Sequence, residues 1–237
     1  MRRSPAADGW TVCGSAPGSR ARCRRRRPRE AAPVPVTREQ DIRRRAIDAT
    51  RDLAAEGGYD SVQMRDVVRL SRLSSATIYR HFSSKDHLLA ATHLEWIAAL
   101  ERSGAARPDG ANAAERVCAI LRDTCRTMAR HPRLTAALIH ALGSSDPGVG
   151  DCHREINRIM NTMFRTALAD EVTNADEFVH LLGIAWEGAL FSWAFGRMTM
   201  TEVEHTVCRA THLLLLGTTT EADTTPDGPP EPNPPNA

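Results

Sequence analysis

This sequence predicts an all-α protein: an N-terminal helix-turn-helix domain followed by a larger helical domain. Three observations carry that expectation. From Thr37 to about residue 217 apolar residues recur at i, i+3, i+4 and i+7. The periodic segments are separated by helix caps, glycines and prolines. No run of alternating apolar and polar residues bracketed by hairpin turns occurs.

Taken in order, residues 1–36 mix Gly, Ser and Pro with the run Arg24 to Arg27, have no hydrophobic period and end in "PVPV". They are expected to be a disordered basic arm. Such an arm is either a nucleic-acid-contacting tail or a passive leader. It lacks the apolar core of a secretory signal.

The next part, residues 37–83, is the expected helix-turn-helix domain. Thr37 is a plausible N-cap with Gln40 three residues on, the capping-box arrangement. Ile42, Ala46, Ala49 and Leu53 then form a stripe that stops at Gly57-Gly58. A short helix over Gln63 to Leu70 carries Met64, Val67 and Val68, and after a break another runs from Ser74 to Phe82. Two short helices about four residues apart, clasped between longer ones, have the dimensions of a helix-turn-helix.

Residues 84–217 read as longer helices. One spans Ser84 to about Arg102 with Leu88, Leu89, Leu94, Trp96 and Ile97 apolar; the others cover Ala113–His131, Leu134–Leu142, 149–169, 175–197 and roughly 200–216. The final twenty residues, with six prolines and no aliphatic residue larger than alanine, are expected to be a disordered tail, 218–237.

The net charge of +2 is unevenly spread: +7 over residues 1–36, +1 over 37–103, −2 over 104–217 and −4 over 218–237. A basic front is the shape of a polyanion binder. Thirty arginines against one lysine also fit a GC-rich coding sequence. No apolar stretch approaches the roughly 18 residues of a membrane span, so a cytoplasmic protein is expected. The six cysteines form no Cys-x-x-Cys pair and read as reduced core fillers.

The segment Ser74 to Phe82 carries the functional expectation. Ile78 and Phe82, four residues apart, share one face, and a helix this short is held only by such a face on its neighbours. The small-polar remainder then points outward and suits a major groove. Ser74 caps the helix, Ser75 and Thr77 meet base edges or a thymine methyl, and Arg80 reaches a guanine or a phosphate. Tyr79 and His81 donate to phosphate oxygens. Lys85, in the first turn of the next helix, is unfavourable beside the positive end of the helix dipole unless a phosphate sits there too; otherwise it is simply solvated.

The stretch Gln63 to Leu89, with "YRHF" and "SKDHLL", resembles the N-terminal domain of TetR-type transcriptional repressors, whose Y-x-x-F-x-x-K-x-x-L pattern ends the recognition helix and opens the fourth. Within that family "VVRLSRLSSATIYRHFSSKDHLL" is most similar to actinobacterial repressors of cholesterol and steroid catabolism genes. The resemblance covers residues 37–102 and implies double-stranded DNA as partner. Two departures matter. The usual Ala-Gly-Val of the turn is Ser71, Arg72 and Leu73, so Arg72 either touches phosphate or points to water. The usual threonine cap is Gln63, a weaker cap that still donates to phosphate.

In the C-terminal part, 175–197 is apolar nearly all round, and Gly183, Ala185, Gly188 and Ala189 permit close approach of another helix. That pattern fits a helix covered by its own core and by a second subunit, or the central helix of a monomer. The resemblance implies the homodimer and palindromic operators. Met128, Met160, Met163, Phe164, Trp186 and Trp193 line an apolar effector pocket or are plain core. If the steroid-repressor resemblance extends this far, it implies a bulky hydrophobic effector, a steroid or its coenzyme A thioester. His205, Cys208 and His212 share a face of the last helix, as metal ligands or as scattered polar residues, and the second is preferred. No nucleophile elbow, phosphate-cradling loop or His-Glu-x-x-His occurs, so neither cofactor nor enzymatic activity is expected. A metal-responsive regulator and an all-helical enzyme are the competing readings.

Overall fold

The computed structural model describes residues 37–102 and 110–220, with side chains to residue 217. The expected basic arm, the first part of the 103–112 loop and residues 221–237 lie outside the described residues. Among the described residues there are nine α-helices, one 3-10 turn and no strand: α1 (Arg38–Gly57), the turn (Tyr59–Ser61), α2 (Met64–Ser71), α3 (Ser75–His81), α4 (Lys85–Arg102), α5 (Ala113–Arg130), α6 (Pro132–Ala141), α7 (Pro147–Leu168), α8 (Ala175–Ala194) and α9 (Met200–Thr220). The last helix runs three residues into the stretch expected to be disordered.

Local chemistry sets these ends. Thr37 Oγ1 accepts from the Gln40 amide at 3.2 Å while Gln40 Oε1 accepts from the Thr37 amide at 2.9 Å, completing the capping box. At the other end the two glycines serve different needs. A side chain on Gly57 would meet Ser61 Cβ at 2.6 Å, and Gly58 has φ +75°, where a Cβ is strained. Ser61 Oγ seals the end by donating to the carbonyls of Leu53 and Gly58. Asn112 caps α5, Asp146 caps α7 with Pro147 at its first position, and Thr199 pairs reciprocally with Glu202 at α9.

Burial organises the helices around two cores. The first joins Ala46, Ala49, Val62, Val67, Ile78 and Phe82 to Leu88 and Leu89 of α4 and to Leu138 of α6 and Val149 and Cys152 of α7. The second gathers Ile97 with Val117, Leu121, Met160, Phe164, Phe178, Leu182 and Val207 from α5, α7, α8 and α9. Packing therefore runs through residue 84 without a break: the first half of α4 belongs to one core and its second half to the other. Cys118, Cys125, Cys152 and Cys208 are buried free thiols, Cys152 in the first core and Cys125 in the second. No described helix is long and apolar enough to cross a membrane.

Candidate nucleic-acid interface and interior cavity

The short helix α3 is held as its spacing predicts. Ile78 and Phe82 are fully buried, and Arg43 lies 5.1 Å over the Phe82 ring on the α1 side. Ser74 is the N-cap, its Oγ accepting from the Thr77 amide at 3.1 Å. Outward stand Ser75, Ala76, Tyr79 and Arg80, with Tyr79 53% exposed. Arg65 and Arg69 of α2, 86% and 70% exposed at the side chain, add cations with no buried role.

Four expected contacts sit differently. The Thr77 hydroxyl is 2.8 Å from Ser74 Oγ and half-buried, so it reinforces the cap. His81 turns inward: its side chain is 10% exposed and Nδ1 lies 3.9 Å from Glu39 Oε1 of α1. Its Nε2 is buried without a hydrogen-bond partner, so in this conformation the ring does not present a donor to solvent. Gln63 occupies the N-cap of α2 without capping it; its amide donates to the Asp60 carbonyl at 3.0 Å. Lys85 is neither a free phosphate clamp nor simply solvated. Its Nζ lies 3.7 Å from the centroid of the Tyr59 ring and donates to the Tyr59 carbonyl at 3.4 Å.

Tyr59 is the seat that the sequence did not announce. Its hydroxyl donates to Asp86 at 2.5 Å, and burial, reinforced by the Asp86 carboxylate, pushes the phenol up to about 12. Arg72 is exposed with φ 55°, the left-handed conformation that glycine adopts in the usual turn. The cost is offset by Arg45 of α1, which donates from Nε and Nη2 to the Ser71 carbonyl at 3.0 and 2.6 Å and from Nη2 to the Arg72 carbonyl at 3.0 Å. An arginine reaching 26 residues ahead in the chain carries no local sequence signal.

The head of α4 is tied to the rest of the protein by Asp146. Its carboxylate accepts from Ser83 Oγ at 2.7 Å, from Ser84 Oγ at 2.6 Å and from the Gly148 amide at 2.8 Å, so one side chain caps α7 and binds the residues that open α4. These donors, Ser84 first, hold the Asp146 carboxyl below its ordinary range. A side chain on Gly148 would strike the His87 ring at 2.5 Å.

The residues expected to line a pocket are core. Met128, Met160, Met163, Phe164 and Trp186 are buried among their neighbours and Trp193 packs against them. A partly open cavity lies between α4, α6, α7 and α8. It has about 30 Å³, is walled by Ile139, Leu142, Ile156, Leu190 and Phe191, and carries His93, His153, Asn157 and Glu187. His153 Nε2 lies 2.8 Å from Glu187 Oε1 and 3.3 Å from Asn157 Nδ2. The hydrogen bond to Glu187 raises His153, and the same bond lowers Glu187. His93, 3% exposed, has no hydrogen-bond partner at either ring nitrogen. Burial, with His153 nearby, lowers it to about 4. A polar residue inside the apolar run of α4 was the only sequence signal for this cluster.

Aromatic rings run from this cavity towards the α4 head. Phe191 stacks on Phe195 at 6.3 Å, Phe195 meets His140 at 5.2 Å, and His140 stacks on Tyr59 at 4.0 Å, under Lys85. No group of three or more His, Cys, Asp or Glu among the described residues is arranged to hold a metal. His205 and His212 are exposed while Cys208 is buried, so that expected face does not converge.

Comparison with known proteins matches both parts. Residues 46–92 match the profile of bacterial regulatory proteins of the tetR family, and residues 110–214 match the tetracyclin repressor-like C-terminal domain. The chain is 31% identical over 179 residues to the HTH-type transcriptional repressor KstR of Rhodococcus jostii RHA1, covering 75% of this chain and 84% of that protein. To KstR of Mycobacterium tuberculosis H37Rv it is 28% identical, covering 75% and 82%. A crystal structure of a TetR transcriptional regulator from Rhodococcus sp. RHA1 superposes with a TM-score of 0.65 at 26% identity, covering 75% of this chain and 98% of that one. FadR of Bacillus subtilis, solved with stearoyl-CoA, shares the fold at a TM-score of 0.52 and 15% identity, covering 73% and 98%.

Proposed function

Because the chain belongs to the TetR family of bacterial transcriptional regulators, we propose that it is a homodimeric repressor that grips a palindromic operator through α3 and releases it when an apolar effector enters the cavity. The observation that carries this reading is α3 itself. Its apolar face is spent entirely on the core, and what remains outward is Ser75, Ala76, Tyr79 and Arg80, a shallow polar surface of the kind that enters a major groove.

Two features support the regulatory part. On α8 and α9, Leu181, Ile184, Leu213 and Leu216 are 41–64% exposed, and side chains added to Gly183 or Gly188 would meet nothing within 4 Å. An apolar, flat face of this kind suits the isologous interface of a two-fold dimer, which in turn matches two half-sites of a palindrome. The second feature is α4, whose Leu88 and Leu89 belong to the core beneath α3 while His93 lines the cavity. A ligand that binds better to one position of α4 shifts the population of head positions by its differential affinity. The resemblance of the head to steroid-catabolism repressors favours a sterol or related lipid as the effector.

The test is duplex binding by fluorescence anisotropy across a salt series. Binding with a steep salt dependence is expected. Ser75→Ala and Arg80→Ala shift sequence preference, and Tyr79→Ala weakens binding to all sequences alike. Unchanged binding in all three variants overturns the assignment of α3. A thermal-shift screen with sterols and their coenzyme A thioesters, followed by operator release, tests the effector.

A further inference from the structure

Among the described residues, only His81 Nε2 and the two ring nitrogens of His93 are buried without a hydrogen-bond partner. Native interiors rarely leave such groups unpaired, and each calls for an explanation. His81 lies at the protein's edge beside Glu39, whereas His93 stands in the wall of a cavity, 3% exposed, its ring 5.8 Å from that of Trp96. A buried, neutral imidazole offers one N–H donor and one lone pair, and here both are unspent.

The rest of the cavity narrows what fits. His153 Nε2 is already paired with Glu187 Oε1 at 2.8 Å, and Asn157 Nδ2 lies 3.3 Å from the same ring nitrogen, so these polar groups are committed to one another's neighbourhood. A carboxylate, phosphate or ammonium brought beside them would be an unpaired charge in an apolar wall. Ile139, Leu142, Ile156, Leu190 and Phe191 demand hydrocarbon. At about 30 Å³ the cavity admits one terminal group, so the body of any larger ligand must press outward on its lining, Phe191 included.

Resting on the effector-release reading above, we infer that His93 recognises an uncharged oxygen, a ketone or an alcohol, at the buried end of an apolar effector. The ring donates to a ketone and both donates to and accepts from a hydroxyl; the charged or bulky end of such a molecule, where it has one, stays outside the cavity. A single trapped water satisfies the same ring atoms and is the alternative that the experiment separates.

The full-length protein is titrated with two matched series: cholest-4-en-3-one, cholesterol and 5α-cholestane, and 2-dodecanone, 1-dodecanol and dodecane. Affinity is read from Trp96-containing intrinsic fluorescence and by thermal shift. In at least one series the oxygenated members bind about tenfold or more tightly than the hydrocarbon. His93→Leu abolishes that preference without weakening hydrocarbon binding, and His93→Gln, which keeps a donor and an acceptor, retains most of it. Equal binding of oxygenated and plain members, a preference that survives His93→Leu, or binding of none of the six overturns the inference and leaves His93 to a water. Operator release is followed in parallel: a His93-dependent oxygen preference with no release supports the site and overturns the effector reading instead.

Discussion

Replacing Arg45 by Met tests how this head manages without the turn glycine. The substitution keeps the aliphatic stem, whose side chain is 38% exposed, and removes three charge-assisted hydrogen bonds. The two to the carbonyl of Ser71, a residue 5% exposed, are worth about 1 kcal/mol each after solvent screening. The exposed one to Arg72 adds about 0.5 kcal/mol. A loss of about 2.5 kcal/mol follows, roughly seventyfold in the folding equilibrium. Urea unfolding followed by helical circular dichroism, at fixed protomer concentration, measures it. Arg72→Gly is the companion: relief of the left-handed strain, about 1 kcal/mol, is nearly cancelled by the freedom glycine adds to the unfolded chain, so its midpoint stays within about 0.5 kcal/mol of wild type. Because the Arg45 guanidinium is spent on carbonyls, operator affinity falls in Arg45→Met while the salt slope holds. An unchanged urea midpoint together with a slope reduced by about 0.9 per protomer contact would refute the clamp and place Arg45 on a phosphate.

Three further outcomes follow from the geometry. Lys85→Met removes the cation–π contact with Tyr59 and lowers Tm by a few degrees, for a loss of about 1 kcal/mol; a lower salt slope of operator binding without a Tm change would show that Lys85 leaves Tyr59 for phosphate. Ile184→Glu places a charge on the exposed α8 face and converts the proposed dimer to monomer in sedimentation equilibrium, with the helical content kept; a wild-type mass would remove this face from the proposed interface. His93, lowered from 6.5 to about 4, stays neutral in the folded state while the unfolded chain takes up a proton, so stability is lost as pH falls from 6.5 towards 4, by up to about 1.4 kcal/mol per pH unit. His153 acts in the opposite sense: its raised value contributes stability that is complete below about 6.5 and fades as pH rises through the folded value. Between pH 6.5 and 4.5, above the ordinary range of Glu187, His93→Leu flattens the acid limb measured by thermal unfolding; an unchanged limb would contradict a neutral buried His93.

The sequence by itself determined the elements and the face of the head. Helical period, the Thr37 capping box, Gly57-Gly58 and Pro132 are local causes, and they placed the helices within a few residues of where they lie. Four-residue spacing was enough to send Ile78 and Phe82 inward, because a seven-residue helix has no other means of support. Everything that depends on residues far apart in the chain was decided by tertiary structure. Whether Lys85 is solvated or held turned on Tyr59, twenty-six residues earlier; whether Arg72 is tolerated turned on Arg45; whether His81 faces outward turned on the approach of Glu39 in α1. The methionine and aromatic stripe was ambiguous in sequence because a packed core and a lined pocket have the same period. Only the closeness of α5, α7, α8 and α9 made it core, and only the gap bounded by α4, α6, α7 and α8 brought His93, His153, Asn157 and Glu187 to one cavity. Local propensity fixes where a side chain points from its own helix; what it meets there is a property of the helices packed against it.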